Sequence, residues 1–179
     1  MAADWQRVLW LILCTTLWVA QSTHAGQGLW QLTDEFVDEY GTRAPLSHWA
    51  AEQTIVSMEY SDCKFVCTVN WRRLVEIQEE ADRLKIDIRV LVVSLDPAHD
   101  TPEAWRDYRS VRGLKRKNWN FVTGTRKGTD SVVALLGVKW WYFNDAIMHD
   151  FRVTRFNAAG RRMSVMDKFD ESASAFLVQ

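Results

Sequence analysis

The sequence predicts an α/β domain in which a central, mainly parallel sheet carries helices on both faces and ends in an antiparallel hairpin. Three observations carry this. Apolar patterns suited to strands alternate along the chain with patterns of period three and four suited to helices. The stretch Ile86 to Leu95 is β-branched and nearly continuously apolar, as a strand covered on both faces must be. Two further apolar stretches flank a turn over 157–160, the mark of a hairpin. Strands separated by crossover helices pair in parallel, and a terminal hairpin adds antiparallel strands.

The elements follow in chain order. Residues 1–25 read as a secretory signal: a short n-region with Arg7, an apolar run from Val8 to Ala20, then a polar stretch ending in Thr23, His24 and Ala25. The apolar run is shorter than the roughly 20 residues that span a bilayer, which favours a cleaved signal over an N-terminal anchor. One domain over 26–179 remains. Gln27 to Ala50 suits a short hairpin or an extended lead-in, and Thr54 to Tyr60 a strand. From Cys63 the apolar residues Val66, Val69 or Asn70, Leu74, Ile77, Ala81 and Leu84 recur on one helical face. Arg72, Arg73, Glu76, Glu79 and Glu80 fall mostly on the other.

After the central strand comes a turn over 96–100. Thr101, Pro102 and Glu103 then supply an N-cap, a proline at the first helical position and an early acidic residue, for a helix to about Arg112. Trp119 to Val122 is a short strand, and Asp130 to Leu136 a helix with Gly137 as its C-cap. Phe151 to Phe156 and Arg161 to Met166 form the hairpin, and Asp170 to Leu177 a last short helix.

Composition narrows the function. Twenty-two Lys and Arg against 23 Asp and Glu give a net charge of −1, with 47% hydrophobic and 25% charged residues. That balance excludes a disordered chain and a multi-span membrane protein. It offers no footprint for phosphate backbones, since Lys115, Arg116 and Lys117 are too short a basic cluster, so nucleic acid is not an expected partner. The ten tryptophans are scattered without a repeat and are expected to serve packing. No phosphate-binding glycine loop or Ser/His/Asp arrangement is evident.

Loss of the signal removes Cys14 and leaves Cys63 and Cys67. In an oxidising compartment thiols persist only if oxidised, bound to metal or kept reduced by a partner. Four residues apart on a helix, the two Cβ atoms would lie roughly 5 to 6 Å apart. A disulfide needs roughly 3.5 to 4.5 Å, so oxidation requires the first turn to open and leave Cys63 in the preceding loop. The spacing suits a metal at least as well as a disulfide, and a static structural bridge is the plain alternative. A helix N-terminus favours the thiolate. Two thiolates are a soft set that suits copper(I), and an added imidazole lets a site hold copper in either oxidation state. Of the histidines, His24 leaves with the signal, His48 lies in the lead-in and His99 in the loop after the central strand. His149 precedes the hairpin, at the edge that faces the first helix in a thioredoxin-like fold. Asp96 and Asp100 sit in a turn and are expected to cap the loop and helix there rather than to bind a hard metal.

In order along the chain, YSDCKFVC at 60–67, VSLDPAHDTPEAWRDY at 93–108, FVTGT at 121–125 and HDFRVTRFNAAGR at 149–161 together resemble the Sco/SenC family of copper-binding, thioredoxin-like proteins. The histidine precedes the hairpin glycine, Gly160, by the family's interval of eleven residues. Lys64 and Thr68 stand where the family usually carries prolines, and Arg155 and Phe156 where an apolar strand is commoner. The resemblance implies copper as cargo, Cys63, Cys67 and His149 as its ligands, and a chaperone role in assembling the binuclear copper centre of cytochrome c oxidase. It implies a subunit of that oxidase, or another copper protein, as partner. A thiol-disulfide oxidoreductase using Cys63 and Cys67 as its redox pair is the enzymatic alternative. Such enzymes place a cis-proline opposite the thiols, whereas Pro45, Pro97 and Pro102 lie away from His149 in sequence. A peroxidase would need a thiolate activated by residues such as Arg72 or Arg73. A copper sensor or store would use the same three ligands. Export places the domain in the periplasm or cell envelope, with membrane association through the N-terminal segment where that segment is retained.

Overall fold

The computed structural model describes residues 28–63, 67–144 and 146–178, with the backbone alone at 67 and 68. The expected signal over 1–25 therefore lies outside the described residues. Strands β1 (Glu35–Asp38), β2 (Arg43–Pro45), β3 (Gln53–Glu59), β4 (Arg89–Ser94), β5 (Trp119–Gly124), β8 (Val153–Asn157) and β9 (Arg162–Met166) form one sheet in the order β2-β1-β5-β4-β3-β8-β9. Its centre, β5-β4-β3, is parallel, and both flanks are antiparallel. The lead-in is the hairpin β1–β2 with a 3₁₀ turn on either side, Leu29–Gln31 and Leu46–Trp49.

Helices cover both faces. Helices α1 (Cys67–Leu84), α2 (Pro102–Val111) and α4 (Ala173–Val178) put Leu74, Ile77, Trp105 and Phe176 into one core cluster with Ile55, Val92 and Phe121 of the sheet. Helix α3 (Arg126–Leu136) and the two 3₁₀ turns put Val132, Leu136, Leu29 and Trp49 into the other, with Val56, Leu91 and Val122. Alternate residues of β3 and β4 thus feed opposite cores, which is why those strands read as unbroken apolar runs.

The boundaries differ from expectation in instructive places. The helix expected from Cys63 is described from Cys67, and Cys63 lies in the preceding turn, its amide donating to the Tyr60 carbonyl at 3.3 Å. On α1, Asn70 rather than Val69 faces inward. Helix α3 starts four residues earlier than expected because the Thr125 hydroxyl caps it, accepting from the Gly128 amide at 3.1 Å. Thr101 caps α2 as expected, and Gly137 closes α3 at φ 74°.

A small second sheet, the hairpin of β6 (Trp140–Phe143) and β7 (Ala146–His149), was not anticipated. It corrects the expectation that the tryptophans serve packing. Trp49, Trp105 and Trp119 are buried, but Trp141 is 51% exposed because the hairpin stands apart from the main sheet.

Gly160 in the β8–β9 turn has φ 72°, and its carbonyl accepts from the Leu29 amide at 3.0 Å. A Cβ there would lie 2.6 Å from Trp30 Cδ1 and 2.9 Å from the Trp30 amide nitrogen. Gly113 has φ 63° with nothing within 4 Å. Gly113→Ala should thus pay only the left-handed backbone cost of about 1 kcal/mol. Gly160→Ala adds a backbone clash and should cost about 2–4 kcal/mol. Urea unfolding of both variants checks this, and equal losses would refute the clash.

Candidate metal centre

Strand β3 delivers the chain to the cysteines, and the segment after it is tied from several sides. The Ser61 amide donates to Asp100 Oδ1 at 2.8 Å, and the Ser94 hydroxyl to Asp100 Oδ2 at 2.5 Å. The Thr123 hydroxyl donates to the Asp100 carbonyl at 2.6 Å and itself accepts from Trp105 Nε1 at 2.8 Å. Burial raises the Asp100 carboxyl pKa, and the hydrogen bonds from Ser61 and Ser94 oppose that. Asp100 therefore acts as the tether between the 96–100 turn and the cysteine segment. Asp96 engages His99 at 2.8 Å, and neither carboxylate belongs to a hard-metal cluster among the described residues.

Cys63 is disulfide-bonded and packs against the core cluster that contains Tyr60 and Ile147. Residues 64–66 and the Cys67 side chain lie outside the described residues. His149 ends β7, opposite Trp140, and is 4% exposed. Its Nδ1 lies 2.9 Å from the Asp150 carbonyl oxygen. With Nδ1–H as donor, assigned from that contact, the imidazole lone pair resides on Nε2. Burial lowers the imidazole pKa and so favours the neutral, ligating form, while the Asp150 carbonyl and carboxylate oppose the shift.

Tyr60 joins the two halves. Its ring meets His149 edge-on with centroids 6.4 Å apart, and its hydroxyl donates to the Ile147 carbonyl at 2.7 Å. The cysteine segment and the His149 strand are thereby held against one aromatic side chain. His48 packs edge-on against Trp49 instead, and His99 is mostly exposed beside Asp96. Among the described residues, which do not include the Cys67 side chain, no three His, Cys, Asp or Glu side chains form a metal-binding group.

Two residues escaped the sequence reading. Glu59, four residues before Cys63, is fully buried: Oε1 accepts from Asn70 Nδ2 at 2.8 Å and Oε2 from the Tyr108 hydroxyl. Burial pushes its carboxyl up to about 7 against the lowering effects of Tyr108, Arg112 and Asn70. Asn70, three residues after Cys67, also donates to Ser57 Oγ at 2.8 Å and so ties α1 to β3. Glu59, the single charged residue of the strand segment TIVSMEY, was the available signal.

A model of the SCO1/SenC family matches residues 24–177. The chain belongs to the SCO1/SenC family. Among its relatives, the SCO1 protein homolog of Bacillus subtilis is 23% identical over 104 residues, 58% of this chain and 54% of that one. The chain thus spans about half the length of that SCO1 relative. Arabidopsis thaliana ScoI, solved with copper bound, superposes with a TM-score of 0.69 at 16% identity, covering 80% of this chain and 90% of that one. BsSco, a member of the Sco family of cytochrome c oxidase assembly proteins in which a disulfide switch was identified, gives 0.67 at 17%, covering 81% and 86%. These likenesses show that the thioredoxin-like architecture expected from the sequence is that of the SCO1/SenC domain.

Proposed function

We propose that this chain is a copper metallochaperone that binds copper through Cys63, Cys67 and His149 and serves assembly of the binuclear copper centre of cytochrome c oxidase. The observation that carries the reading is the joining of the cysteine segment to the His149 strand through Tyr60. Two thiolates and one imidazole nitrogen form a soft donor set for copper(I) that also accepts copper(II). The Asp150 carbonyl orients the imidazole as outer partners of metal-bound histidines do. The cell envelope is the proposed site of action, reached through the segment over 1–25, with residues 26–179 as the copper domain.

Cys63 enters this cycle from a disulfide. Two electrons and two protons from a dithiol donor open that bond to two thiols, and copper then displaces the thiol protons. The same oxidised state favours a second reading, a thiol-disulfide oxidoreductase in which one thiolate attacks a partner disulfide and the other resolves the mixed disulfide.

Titration of the reduced protein separates them, anaerobically with copper(I) and aerobically with copper(II), beside Cys63→Ala, Cys67→Ala and His149→Ala. One-to-one binding is expected, lost with either cysteine change and weakened by His149→Ala chiefly for copper(II). Binding no stronger than a non-specific baseline, with a disulfide that exchanges readily with other thiols, would leave the oxidoreductase.

A further inference from the structure

The β6–β7 hairpin exposes Trp141, Tyr142 and Phe143 by 51%, 64% and 62%. Successive strand residues point to opposite faces, so Trp140 and Tyr142 share one face and Trp141 and Phe143 take the other. The hairpin is a finger with aromatic rings on both sides. Exposed apolar surface of this kind marks an interaction site. A patch built for a flat protein surface needs only one apolar face, whereas the headgroup zone of a bilayer surrounds an inserted element, and Trp and Tyr concentrate there.

Charge points the same way. Arg126 holds its guanidinium 5.6 Å over the Trp140 ring, which meets Tyr142 edge-on at 5.4 Å. Arg126 also borders an open cavity of about 1550 Å³ with Lys127, Arg161 and Arg162, four cations against the carboxylates of Asp34 and Asp130. Gly28 lines the same cavity.

We propose that the aromatic finger and the basic rim form one bilayer-contact face, with anionic lipid headgroups on the rim and Trp141, Tyr142 and Phe143 in the interfacial zone. Since β7 ends in His149, this face sets the candidate metal centre beside the membrane surface. The contact itself does not depend on copper binding.

The full chain is added to phosphatidylcholine/phosphatidylserine vesicles whose acyl chains carry bromine, and tryptophan emission is compared with that of Trp141→Phe. Trp141 is exposed, so the change should leave the far-UV circular dichroism intact, and the difference between the two proteins isolates its emission. The expected result is at least about twofold stronger quenching of that difference signal than with phosphatidylcholine alone, from the roughly fivefold gain that each basic residue contributes at an anionic surface. Lys127→Gln with Arg161→Gln should return it to the phosphatidylcholine level. Equal quenching of wild type and Trp141→Phe would place Trp141 in water, overturn the proposal and leave the finger to a protein partner.

Discussion

Arg109→Ala should cost about 3–5 kcal/mol of folding stability, far above the 0–1 kcal/mol of a surface pair. Arg109 on α2 donates through Nη1 to Glu39 Oε1 at 2.8 Å and to the Trp119 carbonyl at 2.8 Å, and through Nη2 to the Arg116 carbonyl at 2.8 Å. Glu39, just beyond β1, is fully buried and accepts from the Phe121 amide at 3.0 Å. The pair thus clamps the β1 edge, β5 and α2 together, and its truncation strands a buried carboxylate. Burial already raises the Glu39 pKa, with the Phe121 amide and Arg109 opposing it. Loss of Arg109 must raise it further, so the penalty should be largest at alkaline pH and shrink in acid, where Glu39 is neutral. Urea unfolding at pH 8 and pH 5 measures both points, and the melting temperature should fall by about 10 °C. A loss under about 1 kcal/mol at pH 8 would mean that the pair is solvated after all.

Neither this clamp nor the Glu59 cluster was legible in the sequence, and the reason is physical. Fold class was legible because it rests on local periodicity and caps. Ile86 to Leu95 reads as a buried strand in any context, and Thr101-Pro102-Glu103 encodes its own helix start. Glu39 and Arg109 are 70 residues apart and each resembles a solvated surface charge, so only the β1–β5 pairing and the docking of α2 make them partners. The β6–β7 hairpin escaped because WWYF lacks the polar alternation that marks a half-buried strand, both of its faces being exposed. At the candidate site the proposed ligand set was read from motif order, and the structure places His149 at the end of β7 beside Tyr60. Tyr60 was not legible, since an aromatic residue ending a strand carries no sign that it will pack against a histidine 89 positions later. That Cys63 lies in the segment before the helix was foreseeable from disulfide geometry.

Glu59 gives the protein a stability that should decline as pH rises from about 4.5 to about 7. Its carboxyl titrates near 7 in the fold against 4.5 in an unfolded chain. Between those values the folded state holds a proton that the unfolded state has released, so each step up in pH favours unfolding. A difference of this size corresponds to about 3 kcal/mol, fully present below the unfolded value and lost above the folded one. The groups that face the carboxyl are the Tyr108 hydroxyl, the Asn70 amide, the Arg112 guanidinium 3.5 Å from the Tyr108 ring centroid, and Asp100. Glu59→Gln keeps an oxygen for Asn70 and an amide for Tyr108 while removing the titration. The variant should match wild type below about pH 4 and exceed it by about 3 kcal/mol above pH 8. Glu39 and Asp100 are also raised by burial and tilt the wild-type curve the same way, so the wild-type minus variant difference is the quantity to read. Parallel curves from pH 5 to pH 8 would show that Glu59 is ionised throughout. A sloping difference has a structural consequence beside the cysteines: Glu59 ends β3, and Asn70 stands one turn past Cys67. Ionisation of Glu59 would then loosen the strand-helix junction that presents both cysteines, more at alkaline pH than at neutral.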